Sequence, residues 1–398
     1  MHYSLLMPRE VVFGCGEIQR LPQLVAKLGQ RVLLITGAHS AERSGLVAAI
    51  HELLSSANIE VQHVGRSSRE PTISDVDELV ANITSGNRTE GAVVVAVGGG
   101  ATLDLGKAVA AIVTNARGRS VRDFLEGVGT GAVIEQDPLP LIAIPTTAGT
   151  GTEATKNAVV SVDDPQCKKS LRDERMIPNI ALIDPELTLT CSPKVTAAAG
   201  MDAITQLIES FISRRANRFT RALCLEGLLT AIPSYVSAVL PPDESTHWKA
   251  REGMSHAAFL SGVALANSGL GFAHGVAAAL GATCDVPHGL ACSTLLIAAL
   301  NVNKEAVPVD DWLLLDKAMW GNASTYGEDA AREHAWASVV DTIAECHSAV
   351  GLPKRLRDIG VEQSQLADIA AGSMGNSMSG NPRAMSVPDV LKVLEEIW

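Results

Sequence analysis

The chain has 398 residues, which by length alone points to about two or three domains; its 32 Lys plus Arg stand against 44 Asp plus Glu, for a formal charge of −12. That balance carries no electrostatic footprint for nucleic acid or an anionic membrane surface. Hydrophobic residues at 46% and charged residues at 19% exclude global disorder, and aromatics at only 4% leave the core to Ala, Val, Leu and Ile.

The N-terminal residues MHYSLLMPREVVFG lack a cationic segment followed by a long apolar run, so no signal peptide is expected. Up to about residue 185, short β-branched runs alternate with helical patterns. The strand candidates are Glu10–Phe13, Arg31–Thr36, Ile59–Val64, Ala92–Val97, Leu141–Pro145, Ala158–Val162 and Ile180–Ile183. Amphipathic stretches such as Glu42–Ala57, Ser74–Thr84 and Ala101–Asn115 lie between them. Runs like VLLITG and AVVVAVGGG are apolar on both faces, as strands covered by helices on both sides must be. The pattern predicts an α/β domain with a Rossmann-like parallel sheet. The charged run Lys168-Lys169…Arg172-Asp173-Glu174-Arg175 reads as a solvated loop. After Asp184-Pro185 the strand signals stop, and from Ser192 the reading is almost wholly helical. Residues 1–185 are therefore expected to form an α/β domain and 186–398 an all-α domain. Residues 253–284 hold no Asp, Glu, Lys or Arg, but Asn267, His274 and several Gly and Ser interrupt them. They read as buried helices, not a membrane span. Seven cysteines without a C-x-x-C read as reduced thiols in a cytoplasmic setting.

Three segments carry chemistry. Gly98-Gly99-Gly100 follows a strand and opens a helix, where glycines permit close backbone approach and a helix start attracts phosphate. It matches neither G-x-G-x-x-G, since Leu103 takes the third glycine position, nor a Walker A loop, since Ala108 follows Lys107. Pro145-Thr146-Thr147-Ala148-Gly149-Thr150-Gly151-Thr152-Glu153 is dense in hydroxyls at the carboxyl end of another strand, where open α/β sheets bind ligands. In the helical half, Asp202 and Gln206 lie four apart on one helix face. One straight helix would hold His274 and His288 about 21 Å apart, but Pro287 and Gly289 allow the chain to fold back. A carboxylate, an amide oxygen and two imidazoles suit Fe(II) or Zn(II); an apolar-helix His is also often a packing residue. His2, His39, His51, His63, His247, His256, His334 and His347 have no partner at metal-ligand spacing and read as surface or packing residues. No G-x-S-x-G elbow is present.

Taken in order, Phe13-Gly14-Cys15-Gly16, Gly98-Gly99-Gly100…Asp104…Lys107, Pro145 to Glu153, Asp184-Pro185, Gly200-Met201-Asp202-Ala203, His274-Gly275 and Pro287-His288-Gly289 resemble the iron-containing (group III) alcohol dehydrogenase family along nearly the whole chain. The resemblance implies a dehydroquinate synthase-like architecture, with a dinucleotide domain, a helical metal-binding domain and an active site in the cleft between them. It implies a metal-dependent NAD(P) alcohol dehydrogenase or aldehyde reductase acting on a small molecule, in which a divalent metal (Fe2+ or Zn2+) stabilises the alkoxide while hydride passes to nicotinamide. The expected metal ligands are Asp202, Gln206, His274 and His288. The expected cofactor residues are Gly37, Ser40, Gly98, Gly99, Gly100, Asp104, Thr146, Thr147, Gly149, Thr150 and Thr152. A homodimer or larger homo-oligomer is also implied. The alternatives are a metal-independent enzyme resembling maleylacetate reductase and, less favoured, a lyase resembling dehydroquinate synthase.

Three departures from the family pattern stand out. Gln206 replaces a His found four residues after the Asp in iron-dependent members. Ala278 replaces a second His four residues after position 274 that is associated with proton relay. Where NAD-preferring members tend to carry Asp after the second strand, this chain has Gly37, Ala38, His39 and Ser40, then Arg43. Without that carboxylate nothing repels a 2′-phosphate, so NADP is tolerated beside NAD.

Overall fold

The computed structural model describes residues 3–38, 40–86, 88–164, 166–320 and 331–398. It divides into an α/β unit (Leu6–Thr147 and Thr152–Cys191) and a helical unit (Met1–Leu5, Ala148–Gly151 and Ser192–Trp398).

The α/β unit contains β1 (Glu10–Phe13), α1 (Leu21–Ala26), β2 (Arg31–Gly37), α2 (Ser40–Arg43), α3 (Leu46–Ser56), β3 (Glu60–Ser67), α4 (Ile73–Ser85), β4 (Ala92–Gly98), α5 (Gly100–Asn115), β5 (Leu141–Pro145), β6 (Asn157–Asp163), β7 (Gln166–Arg172) and β8 (Ile180–Ile183). Six strands form one parallel sheet in the order β1-β8-β5-β4-β2-β3. Alternate side chains leave it on opposite faces. Val32, Leu34, Val93, Val95 and Val97 enter one core with α1 and α3, while Leu33, Ile35, Val94 and Ala96 enter the other with α4 and α5. The continuous apolar runs of the sequence are this double burial.

Two local readings change. The stretch 42–57 is not one helix, because Gly45 turns left-handed (φ 76°) and separates α2 from α3. Lys168 to Arg172 is not a solvated loop. It lies in β7, which pairs antiparallel with β6 as a hairpin outside the main sheet. Cys167 and Leu171 turn toward the core on the α5 side, while Lys168 pairs with Glu70 at 2.6 Å and Arg172 with Glu126 at 2.8 Å. The long amphipathic side chains of the run mask a period-two pattern.

The motif glycines near the N-terminus have a structural partner. Asp184, buried after β8, accepts the backbone N–H groups of Gly16 at 3.2 Å and Ile18 at 3.0 Å. The two motifs thus form one clasp.

The helical unit contains α6 (Pro193–Ile212), α7 (Arg218–Val239), α8 (Glu244–Ser268), α9 (Phe272–Thr283), α10 (His288–Asn303), α11 (Val309–Trp320), α12 (Ala331–Ala349), α13 (Leu366–Gly372) and α14 (Val387–Ile397). Ser192 caps α6 by accepting from the Val195 N–H, with Pro193 in the first turn. The charge-free stretch breaks at 269–271, where α8 and α9 meet at 97°. Nine of the twelve α9 residues are buried. Helix α7 is long and apolar enough to span a bilayer by composition, with a mean hydropathy of 1.5 over its most apolar window. Within the unit, its Arg221 forms a forked ion pair with Asp311 of α11 and lies 4.2 Å over the Phe211 ring of α6.

Candidate metal centre and dinucleotide edge

In the α/β unit the chain runs from β2 outward to β3 and returns on the other side of β2 as β4. This reversal is a topological switch point, and ligands bind at the carboxyl ends of the strands flanking it. Gly37 ends β2, Gly98 ends β4, and Gly98 registers with Pro145 at the end of β5. The Thr146 N–H then donates to the Gly98 carbonyl at 2.9 Å. The glycine loop and the start of the threonine loop are thus neighbours at one sheet edge.

Close packing explains the local sequence. A Cβ on Gly98 would stand 2.5 Å from Thr102 Oγ1, and one on Gly106 would stand 2.6 Å from the Ala96 Cβ. Gly106 therefore takes the helix-on-strand packing role that Leu103 cannot fill. Gly99 caps α5 with extended backbone and no side-chain cap, so the helix start faces the strand ends with its positive dipole. Thr147 lies beside Gly99, 3.4 Å from where a Cβ would be.

Asp104 and Lys107 point inward from α5. Buried Lys107 Nζ donates to the Thr152 carbonyl at 3.0 Å and to Thr155 Oγ1 at 2.7 Å, and pairs with Asp104 at 3.4 Å. It thereby ties the end of the threonine loop to the glycine-led helix. Burial pushes the Asp104 carboxyl up to about 6 against the pull of Lys107, and it pushes buried Glu153 up to about 7. Burial likewise lowers Lys107.

The middle of the threonine loop belongs to the helical unit. Gly149 packs on Ala199 of α6. Gly151, at φ 60°, abuts Gly262 and the Ala258 carbonyl of α8, leaving no room for a Cβ at 149, 151 or 262. Thr150 is half-buried between them. His2, His39 and the Ser40 side chain lie outside the described residues.

In the helical unit, α6 presents Asp202, Gln206 and Glu209 along one buried face. Gly200 makes room for the Tyr235 ring of α7, whose hydroxyl donates to the Ala197 carbonyl at 2.8 Å. Gly289 lets α10 approach the Ala198 carbonyl of α6. The turn between α9 and α10 brings the His274 and His288 ring centroids to 5.5 Å, where one straight helix would hold them far apart. His274 Nε2 lies 3.2 Å from Asp202 Oδ1, and His288 Nε2 lies 3.9 Å from the same oxygen. Ligand atoms of Asp202, His274, His288 and Cys292 all lie within 4.8 Å of one another. Asp202, His274 and Cys292 are buried, whereas His288 keeps 37% of its side chain exposed and opens the cluster on its side. Gln206, also buried, accepts the Ser261 hydroxyl on Oε1 at 2.8 Å.

Both nitrogens of His274 face carboxylates, with Nδ1 2.7 Å from Glu209 Oε2. A neutral imidazole can donate from one nitrogen only, so the Nε2–Asp202 contact requires a second proton or a cation between the two lone pairs. Burial lowers the affinity of His274 for a proton, but Cys292, Asp202 and Glu209 together hold it well above 6.5. Cys292, assisted by Asp202 against burial, pushes His288 up to about 9. Burial would raise the Asp202 carboxyl, but the two imidazoles hold it below the usual range. The pocket is built around positive charge, and a divalent cation fits its donor set.

Two residues of this cluster escaped the sequence reading. Glu209 accepts from the backbone N–H groups of Gly271, Ala273 and His274, at 3.1, 2.6 and 3.3 Å, so one carboxylate caps α9 and orients its histidine. Cys292 lies one turn after His288, its Sγ 3.6 Å from His288 Nε2. Both spacings were visible, seven residues beyond Asp202 and four beyond His288, but nothing local marks a buried Glu or Cys as part of a cluster.

Known proteins share this organisation. The family model described as iron-containing alcohol dehydrogenase matches residues 8–185, and the family's C-terminal model matches residues 196–398. The lactaldehyde reductase of Escherichia coli (strain K12) is 28% identical over 100% of both chains. The NAD-dependent methanol dehydrogenase of Bacillus methanolicus is 25% identical over 98% of this chain and 99% of its own. The solved alcohol dehydrogenase from Oenococcus oeni superposes with a TM-score of 0.89 at 27% identity, covering 100% of both chains. The chain belongs to the iron-containing alcohol dehydrogenase family.

Proposed function

We propose that Asp202, His274 and His288 hold the divalent metal of this enzyme, and that the Gly98–Gly100 and Thr146–Thr152 loops bind its nicotinamide cofactor. Family membership supplies the coarser statement: the chain is an NAD(P)-dependent oxidoreductase that interconverts alcohols and aldehydes with a divalent metal. The observation that carries the residue assignment is His274 held between Glu209 and Asp202, an arrangement that requires positive charge at Nε2. Membership of the iron-containing family favours a metal-dependent reading over a metal-independent one.

When bound there, a divalent cation supplies Lewis acidity toward the substrate oxygen. The chain's own residues do the rest. Glu209 accepts the Nδ1 proton of His274 and so leaves the Nε2 lone pair directed at Asp202. The α5 start and the Gly98–Gly100 backbone receive the pyrophosphate. Lys107 holds the Thr152 end of the second loop in place. Ala278 offers no proton acceptor, so the alcohol proton leaves through water or a ribose hydroxyl.

The finer assignments are part of the same proposal. Gly37 leaves the end of β2 without a carboxylate, so both NAD and NADP are accepted; comparing kcat/KM for the two cofactors tests this. A small alcohol or aldehyde is the substrate, as the names of the similar reductase and dehydrogenases suggest. The cytoplasm is its setting. A homodimer or larger assembly forms along β1, the outermost strand of the sheet beside β8, and light scattering of the purified protein reads its mass. The direct test of the site is His274→Ala: metal content and turnover are lost together while cofactor binding persists. Unaltered turnover in that variant contradicts the assignment.

A further inference from the structure

We propose that the fourth metal ligand of this chain is the thiolate of Cys292, and that Gln206 stays outside the coordination shell. The proposal rests on the metal site assigned above and deepens it. Cys292 is fully buried on α10, one helical turn beyond His288, so thiol and imidazole project from the same face. Its sulfur lies 3.6 Å from His288 Nε2 and within 4.8 Å of the ligand atoms of Asp202 and His274. With zinc–donor bonds of about 2.0 to 2.3 Å at near-tetrahedral angles, neighbouring donor atoms stand roughly 3.3 to 3.6 Å apart, and expansion to five-coordination leaves a position for the substrate oxygen. The observed 3.2, 3.6 and 3.9 Å separations among these donors bracket that edge length. Gln206 offers a neutral amide oxygen that already accepts the Ser261 hydroxyl at 2.8 Å, and a thiolate is the stronger donor for a borderline metal.

Metal binding forms the sulfur–metal bond and releases to solvent the thiol proton together with any proton on the ligating nitrogens of His274 and His288, with no change in oxidation state. A thiolate shifts preference toward zinc or cobalt and away from manganese or magnesium, which favour oxygen ligands. The chain thereby replaces a missing histidine on α6 with a cysteine on α10.

The test strips the full-length protein with a chelator and adds cobalt(II) anaerobically. A thiolate ligand produces a near-ultraviolet sulfur-to-cobalt charge-transfer band, which imidazole, carboxylate and amide ligands do not give. The expected result is this band in the wild type and in Gln206→Ala. It disappears in Cys292→Ser, which still shows the visible ligand-field bands of bound cobalt and binds the ion at least roughly 10-fold more weakly. Should Cys292→Ser fail to fold, X-ray absorption of the wild-type zinc form reads the same question, as one sulfur in the first coordination sphere. Cobalt bound with ligand-field bands but no charge-transfer band, or zinc with no sulfur neighbour, overturns the Cys292 ligand and leaves the Asp202, His274, His288 site standing. No cobalt uptake at all overturns both.

Discussion

At His274 a single side chain reports what the pocket is for. Its Nδ1 is 2.7 Å from a carboxylate that also caps α9, so ring orientation and helix start are set by the same Glu209. Replacing Glu209 with Gln keeps the shape but removes the charge and frees the tautomer. Metal affinity, read by competition with a chromophoric chelator, falls by roughly 10 to 100-fold. Glu153 makes a different prediction. Burial pushes its carboxyl from 4.5 up to about 7, so the folded state binds this proton more tightly than the unfolded chain does. The resulting stability is full below pH 4.5 and lost as pH rises through about 7. The shift corresponds to roughly 3 kcal/mol at most. Glu153→Gln flattens that part of the pH profile, so its urea midpoint exceeds that of the wild type at pH 8 but not at pH 5. An unchanged profile contradicts this account of the residue.

At the scale of elements, contact between backbone and backbone decides where the site residues stand. Gly106 allows α5 to press onto β4, and that contact sets where the helix start lies relative to the strand ends. Gly106→Ala places a methyl 2.6 Å from the Ala96 Cβ. It lowers stability by roughly 1 to 3 kcal/mol and weakens cofactor binding, as denaturant titration and fluorescence of bound NADH would show. Wild-type cofactor affinity in that variant contradicts the role given to this contact. The central strands and most helices of the α/β half were legible because burial on both faces leaves continuous apolar runs. β7 was not, because lysines whose stems lie along the surface read as solvated charge, and its pairing with β6 depends on a turn rather than on composition. The convergence of His274 and His288 was legible from Pro287 and Gly289. Glu209 and Cys292 were not, because helix spacing specifies which residues share a face but not which other helix that face meets.

For the whole molecule, one chain carries two compact units, and the threonine loop contributes to both. Its ends, Thr146, Thr147 and Thr152, belong to the α/β unit, while Ala148–Gly151 packs on α6 and α8. The ordered motifs of the sequence are spread over this arrangement: the Asp184 clasp and glycine edge in one unit, and the donor cluster in the other. The proposed metal residues and the sheet-edge cofactor residues therefore fall in different units, and metal removal is expected to leave the sheet edge intact. Chelated protein should retain NADH binding while losing turnover, and turnover recovers when a divalent metal is restored. Persistent turnover after complete chelation contradicts a metal-dependent mechanism and directs attention to the metal-independent alternative.

The central claim, that Asp202, His274 and His288 hold a catalytic divalent metal, is tested most directly by metal content per chain after anaerobic purification without chelators or metal-binding tags. The account predicts near-stoichiometric zinc or iron in the wild type and none in His274→Ala, with cofactor binding equal in the two. A wild-type protein that binds cofactor and turns over substrate with no metal bound would contradict it.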